Sequence, residues 1–323
     1  QKLGKQLPMF GTEQGYPTEE KQEKEIIQAR GLIRANLIMM GEGFRFNFAF
    51  YSVDYVAGAE SGYGFHYNLN PYMNWGTDKW GPKPASPAYA AMTFLLEGRK
   101  SAGAIEWLGE TALGYAYERG DDVMLALWDW GEQPRTVSIP VGVDKVTVYD
   151  WMGNGREVAT DRSLLKVEIG QQPVYVAGVA AKLWGSGGEK PVKTAAPRLV
   201  GYPGGKVAVK TTVAAVLGGA LEGMLAITPD AKLGVACQEK PVKLAAGERS
   251  DVEMTFDLPA DAVVGGYPLT IILSDAKGPV AGGGCLLKIE PPVVIAGVNP
   301  AFSAAGKAGV QVLLREAEGR GAK

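Results

Sequence analysis

The sequence is poor in the residues that most often bind metals. It contains one histidine, His66, and two cysteines, Cys237 and Cys285, in 323 residues. A structural zinc site takes four ligands, so these three side chains do not suffice for one. The cysteines leave two alternatives open, which are a single disulfide in an oxidising compartment or two free thiols.

An excess of charge of one sign and long apolar runs are also absent. Lys and Arg number 33 and Asp and Glu 35, for a net charge of -2. Nucleic-acid partners demand a clustered basic surface, so none is expected. No apolar run approaches the roughly 18 residues that span a bilayer, and residues 1–5 lead into no signal-peptide core. We therefore expect neither a nucleic-acid partner nor a membrane span.

About the first hundred residues alternate between strand and helix patterns. A short apolar strand begins at Leu7, and residues 18–40 predict a helix with Thr18 at its N-cap. Residues 46–53 then predict an aromatic-rich strand that is buried on both sides. Strand–helix–strand is the repeating unit of parallel α/β folds.

A long polar and aromatic connection over residues 54–86 comes next, and a structureless loop of that length is usually functional. A second helix is predicted from Ser86 to Leu96, with Ser86 as its cap and Pro87 at its first position.

From about residue 101 the pattern changes to short strands with turns between them, which is typical of β-sandwiches. We predict a barrel portion over residues 1–100, a β-sandwich over 101–184, an immunoglobulin-like β domain over 195–290, and the start of a further β domain or terminal strands over 291–323. The predicted strands of the two middle regions are 112–118, 123–130, 136–140, 145–149, 164–169, 173–177, 206–213, 223–228, 251–257 and 267–273.

The segment from Leu7 to Tyr16 carries the chemistry, because its short apolar strand leads directly into Glu13. Enzymes built on (β/α)8 barrels keep their catalytic groups at the carboxyl ends of the strands. The segment resembles strand seven of clan A glycoside hydrolases, and the order of the next elements strengthens that resemblance. An aromatic strand (48–55), a glycine-rich loop (62–65) and a Pro-Lys-Pro approach (82–84) to the last helix come in the order of that clan.

The resemblance is nearest to families 39, 30 and 5 and covers roughly residues 7–180. It implies an α/β plus all-β chain that holds the last two units of a (β/α)8 barrel, followed by a β-sandwich and an immunoglobulin-like domain. It also implies retaining hydrolysis of a poly- or oligosaccharide with Glu13 as the nucleophile, and no cofactor or metal. The substrate-binding residues that it implies are Tyr16, Phe50, Tyr51, Asp54, Trp75 and Trp80.

The acid/base of this clan is a Glu that normally follows Asn, and no Asn-Glu pair occurs in the sequence. We therefore expect the acid/base in an upstream segment or on a separate chain that supplies the rest of the barrel. The alternative is a non-catalytic carbohydrate-binding or structural cell-surface protein. Polysaccharide chemistry and tandem β domains suggest a secreted, periplasmic or cell-surface location.

Overall fold

The computed structural model describes residues 8–19, 21–50, 52–54, 62–67, 81–161, 163–187, 190–216, 219–291, 293–302 and 308–316. Its first part is a strand–helix–strand unit. Strands β1 (Phe10–Gln14) and β2 (Phe46–Ala49) pair in parallel, and helix α1 (Gln22–Gly41) connects them. The predicted alternation over the first fifty residues is therefore confirmed.

Three details of this unit differ from the prediction. Strand β2 ends at Ala49, whereas the sequence predicted a strand as far as residue 53. Helix α1 has Lys21 at its N-cap with no side-chain cap, whereas the Thr18 hydroxyl donates to the carbonyl oxygen of Gly62 at 3.2 Å. Thr18 is only 1% exposed, so a tertiary contact takes the hydroxyl that was predicted to cap the helix. Strand β2 is not buried on both sides, because its face away from α1 is open and leaves Phe46 and Phe48 exposed.

Helix α2 (Ala85–Leu96) confirms the second predicted helix, but its N-cap is Pro84, so Ser86 lies inside the first turn and is not the cap. Helices α1 and α2 pack against each other and against one face of a large β-sheet. The buried side chains of this layer are Ile33, Leu37, Ala88, Met92, Leu95 and Leu96 from the helices and Tyr115, Tyr117, Met124, Ala126, Trp128 and Tyr175 from the sheet.

The first β region has eight strands, which are β3 (Lys100–Ile105), β4 (Ala112–Arg119), β5 (Asp122–Asp129), β6 (Arg135–Pro140), β7 (Lys145–Tyr149), β8 (Gly155–Ala159), β9 (Leu164–Ile169) and β10 (Val174–Val179). Six of them form one sheet in the order β3-β4-β5-β10-β7-β8, and β6 and β9 form a two-stranded sheet that covers the face opposite the helices. Six of the eight strands were predicted to within two residues, and β3 and β8 were not predicted.

A short helix, α3 (Ala181–Trp184), leads into the second β region, which has a three-stranded sheet (β11-β13-β16) facing a five-stranded sheet (β12-β18-β17-β14-β15). A separate hairpin of β19 and β20 comes last. The strands are β11 (Val192–Thr194), β12 (Arg198–Gly201), β13 (Lys206–Ala214), β14 (Leu221–Pro229), β15 (Gln238–Leu244), β16 (Arg249–Asp257), β17 (Gly265–Asp275), β18 (Gly278–Ile289), β19 (Val293–Phe302) and β20 (Ala308–Glu316).

One apolar core runs through both β regions. At their junction the Trp107 ring lies against Gly284 of β18, and the Pro140 ring lies against Gly282. Trp184 Nε1 donates to the carbonyl oxygen of Pro140 at 2.8 Å. The predicted domain boundaries stay predictions, since the packing is continuous across the junction.

The two cysteines are free thiols, with Cys237 exposed and Cys285 buried. Burial raises the pKa of the Cys285 thiol to about 12, which makes it a poor nucleophile. Among the described residues, no helix is both long and apolar enough to cross a membrane.

Candidate active site

A β-bulge in β1 decides where Glu13 points. Gly11 pairs with Asn47 and Gln14 pairs with Ala49, so three steps along β1 match two steps along β2. Gly11 faces α1, because a Cβ at that position would lie 3.0 Å from the sulfur of Met39. In a regular strand Glu13 would share the face of Gly11, since side chains alternate.

The extra residue changes that outcome. Gln14 shares the face of Ala49, which packs against the helices, and its amide atoms are buried. Thr12 and Glu13 together therefore occupy the opposite, open face, and both are exposed. Bulges next to active sites commonly re-aim a side chain in this way.

The open face of the β1–β2 sheet is aromatic. The Phe10 and Phe46 rings stack with centroids 5.8 Å apart, and the Phe46 and Phe48 centroids lie 6.5 Å apart. These three side chains are 47%, 53% and 60% exposed, and Met9 beside them is 43% exposed. Glu13 thus shares its face with a contiguous apolar surface that nothing in the described part of the chain covers.

Phe50 and Tyr63 lie where both strands end. Their rings meet edge to face, with centroids 5.3 Å apart and an interplanar angle of 82°. Both border Gly15, two residues after Glu13, where a Cβ would lie 2.7 Å from Tyr63 Cδ1 and 3.1 Å from Phe50 Cβ. The backbone N–H of Phe50 donates to the carbonyl oxygen of Gln14 at 2.6 Å, which fixes the ring pair to the end of β1.

Tyr16 lies on the helix side of this region. A Cβ on Gly31 of α1 would lie 3.0 Å from its ring, and Gln28 Nε2 donates to its carbonyl oxygen at 3.0 Å. The ring is 39% exposed, so one part of it is still accessible to a ligand.

Asp54 belongs to a buried ion pair. Lys83 Nζ lies 2.6 Å from Asp54 Oδ1, and the two side chains are 1% and 14% exposed. The N–H of Gly64 donates to the same oxygen at 2.9 Å. Burial raises the pKa of the Asp54 carboxyl above its usual value, and the nearby ammonium of Lys83 partly opposes that shift.

Lys83 also joins the loop to helix α1. Its ammonium donates to the carbonyl oxygen of Gly62 at 3.0 Å, and Gln28 Nε2 donates to the same oxygen at 2.8 Å. A second buried acid, Glu25 of α1, accepts a hydrogen bond from the Tyr67 hydroxyl at 2.6 Å. Burial and this acidic neighbour raise the pKa of Tyr67 well above its usual range, so the phenol is neutral.

The structure therefore brings Glu13, Phe50 and Asp54 to one end of the strand–helix–strand unit, with Tyr16 packed against α1 beside them. Tyr51, Trp75 and Trp80 lie outside the described residues. Sequence reasoning used the motifs that contain Lys83 and Tyr63 for the resemblance, but it assigned no role in the site to these two residues or to Gln28. Two sequence features could have indicated Lys83 and Tyr63. Lys83 lies between two prolines (Pro82 and Pro84) and Tyr63 between two glycines (Gly62 and Gly64), and both patterns are typical of loops with a defined conformation. No group of three or more His, Cys, Asp or Glu in the described ranges is placed to hold a metal ion.

Neither a protein-family model nor a curated protein matches the chain. Solved structures that are similar include a family 39 glycoside hydrolase from Bacteroides cellulosilyticus WH2 (20% identity, TM-score 0.43, 54% of this chain and 34% of that one). A family 30 endoxylanase from Clostridium papyrosolvens C71 is similar at 11% identity and TM-score 0.39, over 54% of this chain and 42% of that one. A family 86 β-porphyranase from Bacteroides plebeius is similar at 14% identity and TM-score 0.35, over 88% of this chain and 58% of that one.

The chain spans between a third and three-fifths of the length of these three solved chains. Two of the families that the sequence resembles, 39 and 30, are thus among the structures similar to this chain.

Proposed function

We propose that this chain carries part of the active site of a retaining glycoside hydrolase, with Glu13 as the nucleophile. The bulge in β1 is the observation that supports the proposal most. It moves Glu13 from the helix side of the sheet to the open face, at the carboxyl end of a parallel strand. Barrel enzymes use carboxylates in that position.

In the proposed reaction the Glu13 carboxylate attacks the anomeric carbon, and the bond from that carbon to the leaving oxygen breaks. A second carboxylic acid protonates the leaving oxygen and then, as a carboxylate, takes a proton from the water that releases the sugar. Retaining enzymes hold the two carboxyl groups about 5–5.5 Å apart. The described residues offer no Glu or Asp that we assign to the second role.

We therefore propose that further β/α units, upstream or on a separate chain, complete a barrel on the β1–β2 sheet. In the described structure that sheet has only two strands, so each has a free edge. Its open face exposes the rings of Phe10, Phe46 and Phe48. Unpaired strand edges and an apolar face are both features that folded proteins cover.

The sugar-binding assignments stay proposals that accompany this one. Pyranose rings present apolar C–H faces to aromatic side chains, which suits Tyr16, Phe50, Tyr51, Trp75 and Trp80, and a carboxylate such as Asp54 accepts hydrogen bonds from sugar hydroxyls. The two β regions would hold the barrel and act as spacers. A secreted, periplasmic or cell-surface location fits a polysaccharide substrate.

The first test replaces Glu13 in the complete protein that carries this chain. Glu13→Gln is expected to lower kcat by a factor on the order of 10³ or more, because the amide does not form the glycosyl-enzyme. Glu23→Gln, an exposed acid in the first turn of α1, is the matched control and leaves kcat unchanged. Azide is expected to restore turnover to Glu13→Gly and to give a glycosyl azide of inverted configuration.

Undiminished turnover by Glu13→Gln would show that the nucleophile lies elsewhere. A protein that binds oligosaccharides with Glu13 intact but cleaves none would instead support the non-catalytic carbohydrate-binding alternative.

A further inference from the structure

The loop of residues 62–66 places an aromatic side chain at the end of β1. Tyr63 lies between two glycines and directs its half-buried ring at Gly15 and Phe50. Its hydroxyl makes no hydrogen bond to any described residue, so it is available to a ligand. The ring borders Gly15, two residues after the exposed carboxylate of Glu13. A half-buried ring with an unused hydroxyl differs from a core aromatic, whose polar group normally has a partner.

The two glycines leave the loop little choice of conformation. Gly62 has φ +89°, a backbone geometry that side chains disfavour, and a Cβ there would clash with the Thr18 hydroxyl. A Cβ on Gly64 would overlap the backbone of Val53 and Asp54. The residues on both sides of Tyr63 are thus packed against neighbouring backbone and side chains.

Charge and hydrogen bonds hold the same two glycines. The Gly62 carbonyl accepts from Lys83 and Gln28, and the Gly64 N–H donates to Asp54, which is itself paired with Lys83. Lys83 is 1% exposed, so its ammonium loses most of its hydration. A buried charge of this kind is stable only where close hydrogen-bonding and charged partners replace the lost water. The consequence of this arrangement is a fixed position for the ring of Tyr63.

We propose that Tyr63 is a substrate-contacting residue that forms, with Phe50, a right-angled aromatic corner for one pyranose unit beside Glu13. The C–H face of the sugar packs on one ring, and the Tyr63 hydroxyl donates to a sugar oxygen. Lys83 is a positioning residue in this arrangement, because it reaches the sugar only through the loop. The inference rests on the proposed function, since it assumes that Glu13 marks the reacting sugar.

The test compares the unchanged complete protein with Tyr63→Ala, Tyr63→Phe and a control, Phe94→Ala. Phe94 is an aromatic on α2 that is 79% exposed and lies outside the site. Release of reducing ends gives kcat and KM on soluble xylan, β-glucan, mannan and galactan. We expect Tyr63→Ala to raise KM about tenfold and to change kcat less, which is the order of effect for removing one aromatic contact. Tyr63→Phe keeps the ring and is expected to raise KM only about two- to threefold.

The outcomes separate this inference from the proposed function. An unchanged KM in Tyr63→Ala overturns the role of Tyr63, even where Glu13→Gln abolishes turnover. Equal increases of KM in Tyr63→Ala and Phe94→Ala also overturn it, since the effect would then not be specific to the corner. Full activity of Glu13→Gln defeats the proposed function, whatever Tyr63→Ala does. No turnover of any of the four glycans by the unchanged protein contradicts both.

Discussion

At the scale of single residues, the buried ammonium of Lys83 stands out. A charge loses several kcal/mol of hydration when it is buried, and a pair recovers this only with close partners. Lys83 has them in the carboxylate of Asp54 at 2.6 Å and the carbonyl of Gly62 at 3.0 Å. Removal of one partner leaves the other charge buried and unpaired, which destabilises the folded state.

Lys83→Met is therefore expected to lower the free energy of unfolding by about 3 kcal/mol, the order found when a buried pair loses one member. The same change in the exposed pair of Lys145 and Glu157, whose charged atoms lie 2.8 Å apart, is the control. Lys145→Met is expected to change the free energy of unfolding by less than about 1 kcal/mol. Urea unfolding at pH 7 measures both, and equal effects of the two substitutions would show that the Lys83 pair does not anchor the fold.

At the scale of elements, one carboxylate connects a strand of the large sheet to the segment after α3. Glu118, near the end of β4, accepts hydrogen bonds from the N–H of Ser186 at 2.7 Å and from its hydroxyl. These bonds, with a smaller contribution from Lys100, lower the pKa of Glu118 below its usual 4.5. The folded state thus favours the ionised form more strongly than the unfolded state does.

This shift gives a pH dependence of known sign. The stabilisation by Glu118 is fully present above pH 4.5, the unfolded value, and is lost as the pH falls through the lower folded value. Glu118→Gln is expected to unfold at lower urea concentration than the unchanged protein at pH 7. This gap between the two unfolding midpoints is expected to close as the pH falls below about 4. Glu157→Gln, an exposed acid on β8, serves as control. A gap that is constant from pH 7 to pH 3 would contradict the assigned ionisation.

How far the sequence predicted these elements depended on local composition. Strands rich in Val, Leu and Tyr, such as β4, β5 and β9, were located to within a residue or two, because alternation and turn residues mark them. Strand β18 was missed, since residues 278–284 contain four glycines and its strand form comes from pairing with β17.

The sequence-based prediction of the candidate site was made for an incomplete reason. Apolar residues leading into a carboxylate indicated Glu13, but a regular strand would have turned that side chain toward α1. The bulge is set by pairing with β2, a contact between residues more than thirty positions apart that local patterns do not encode. The same limit applies to Thr18, whose hydroxyl satisfies Gly62 across 44 residues.

At the scale of the whole molecule, glycines on β18 allow the two β regions to pack together. Gly284 lies under the Trp107 ring and beside the carbonyl oxygen of Leu269, so it has no room for a side chain. Its neighbour Gly283 has open space where a Cβ would be. The two positions are adjacent in one strand, which gives a matched pair for testing the junction.

Gly284→Val is expected to lower the free energy of unfolding by about 1–3 kcal/mol, because the new side chain forces Trp107 out of the junction. Gly283→Val is expected to be neutral or slightly stabilising, since it only adds a β-branched residue to a strand. Calorimetry measures both, and the Gly284 variant should also separate the two β regions into distinct transitions. Equal effects at the two positions would mean that the junction does not contribute to stability.

The central proposal is that Glu13 is the nucleophile, argued from the strand–helix–strand unit, its open aromatic face and the bulge, and covalent trapping tests that role most directly. The complete protein is incubated with 2,4-dinitrophenyl 2-deoxy-2-fluoro-glycosides of xylose, glucose, mannose and galactose, and then digested for mass spectrometry. We predict one fluoroglycosyl group on the peptide that contains Glu13, with time-dependent loss of activity. Inactivation with the label on any other carboxylate would contradict the assignment.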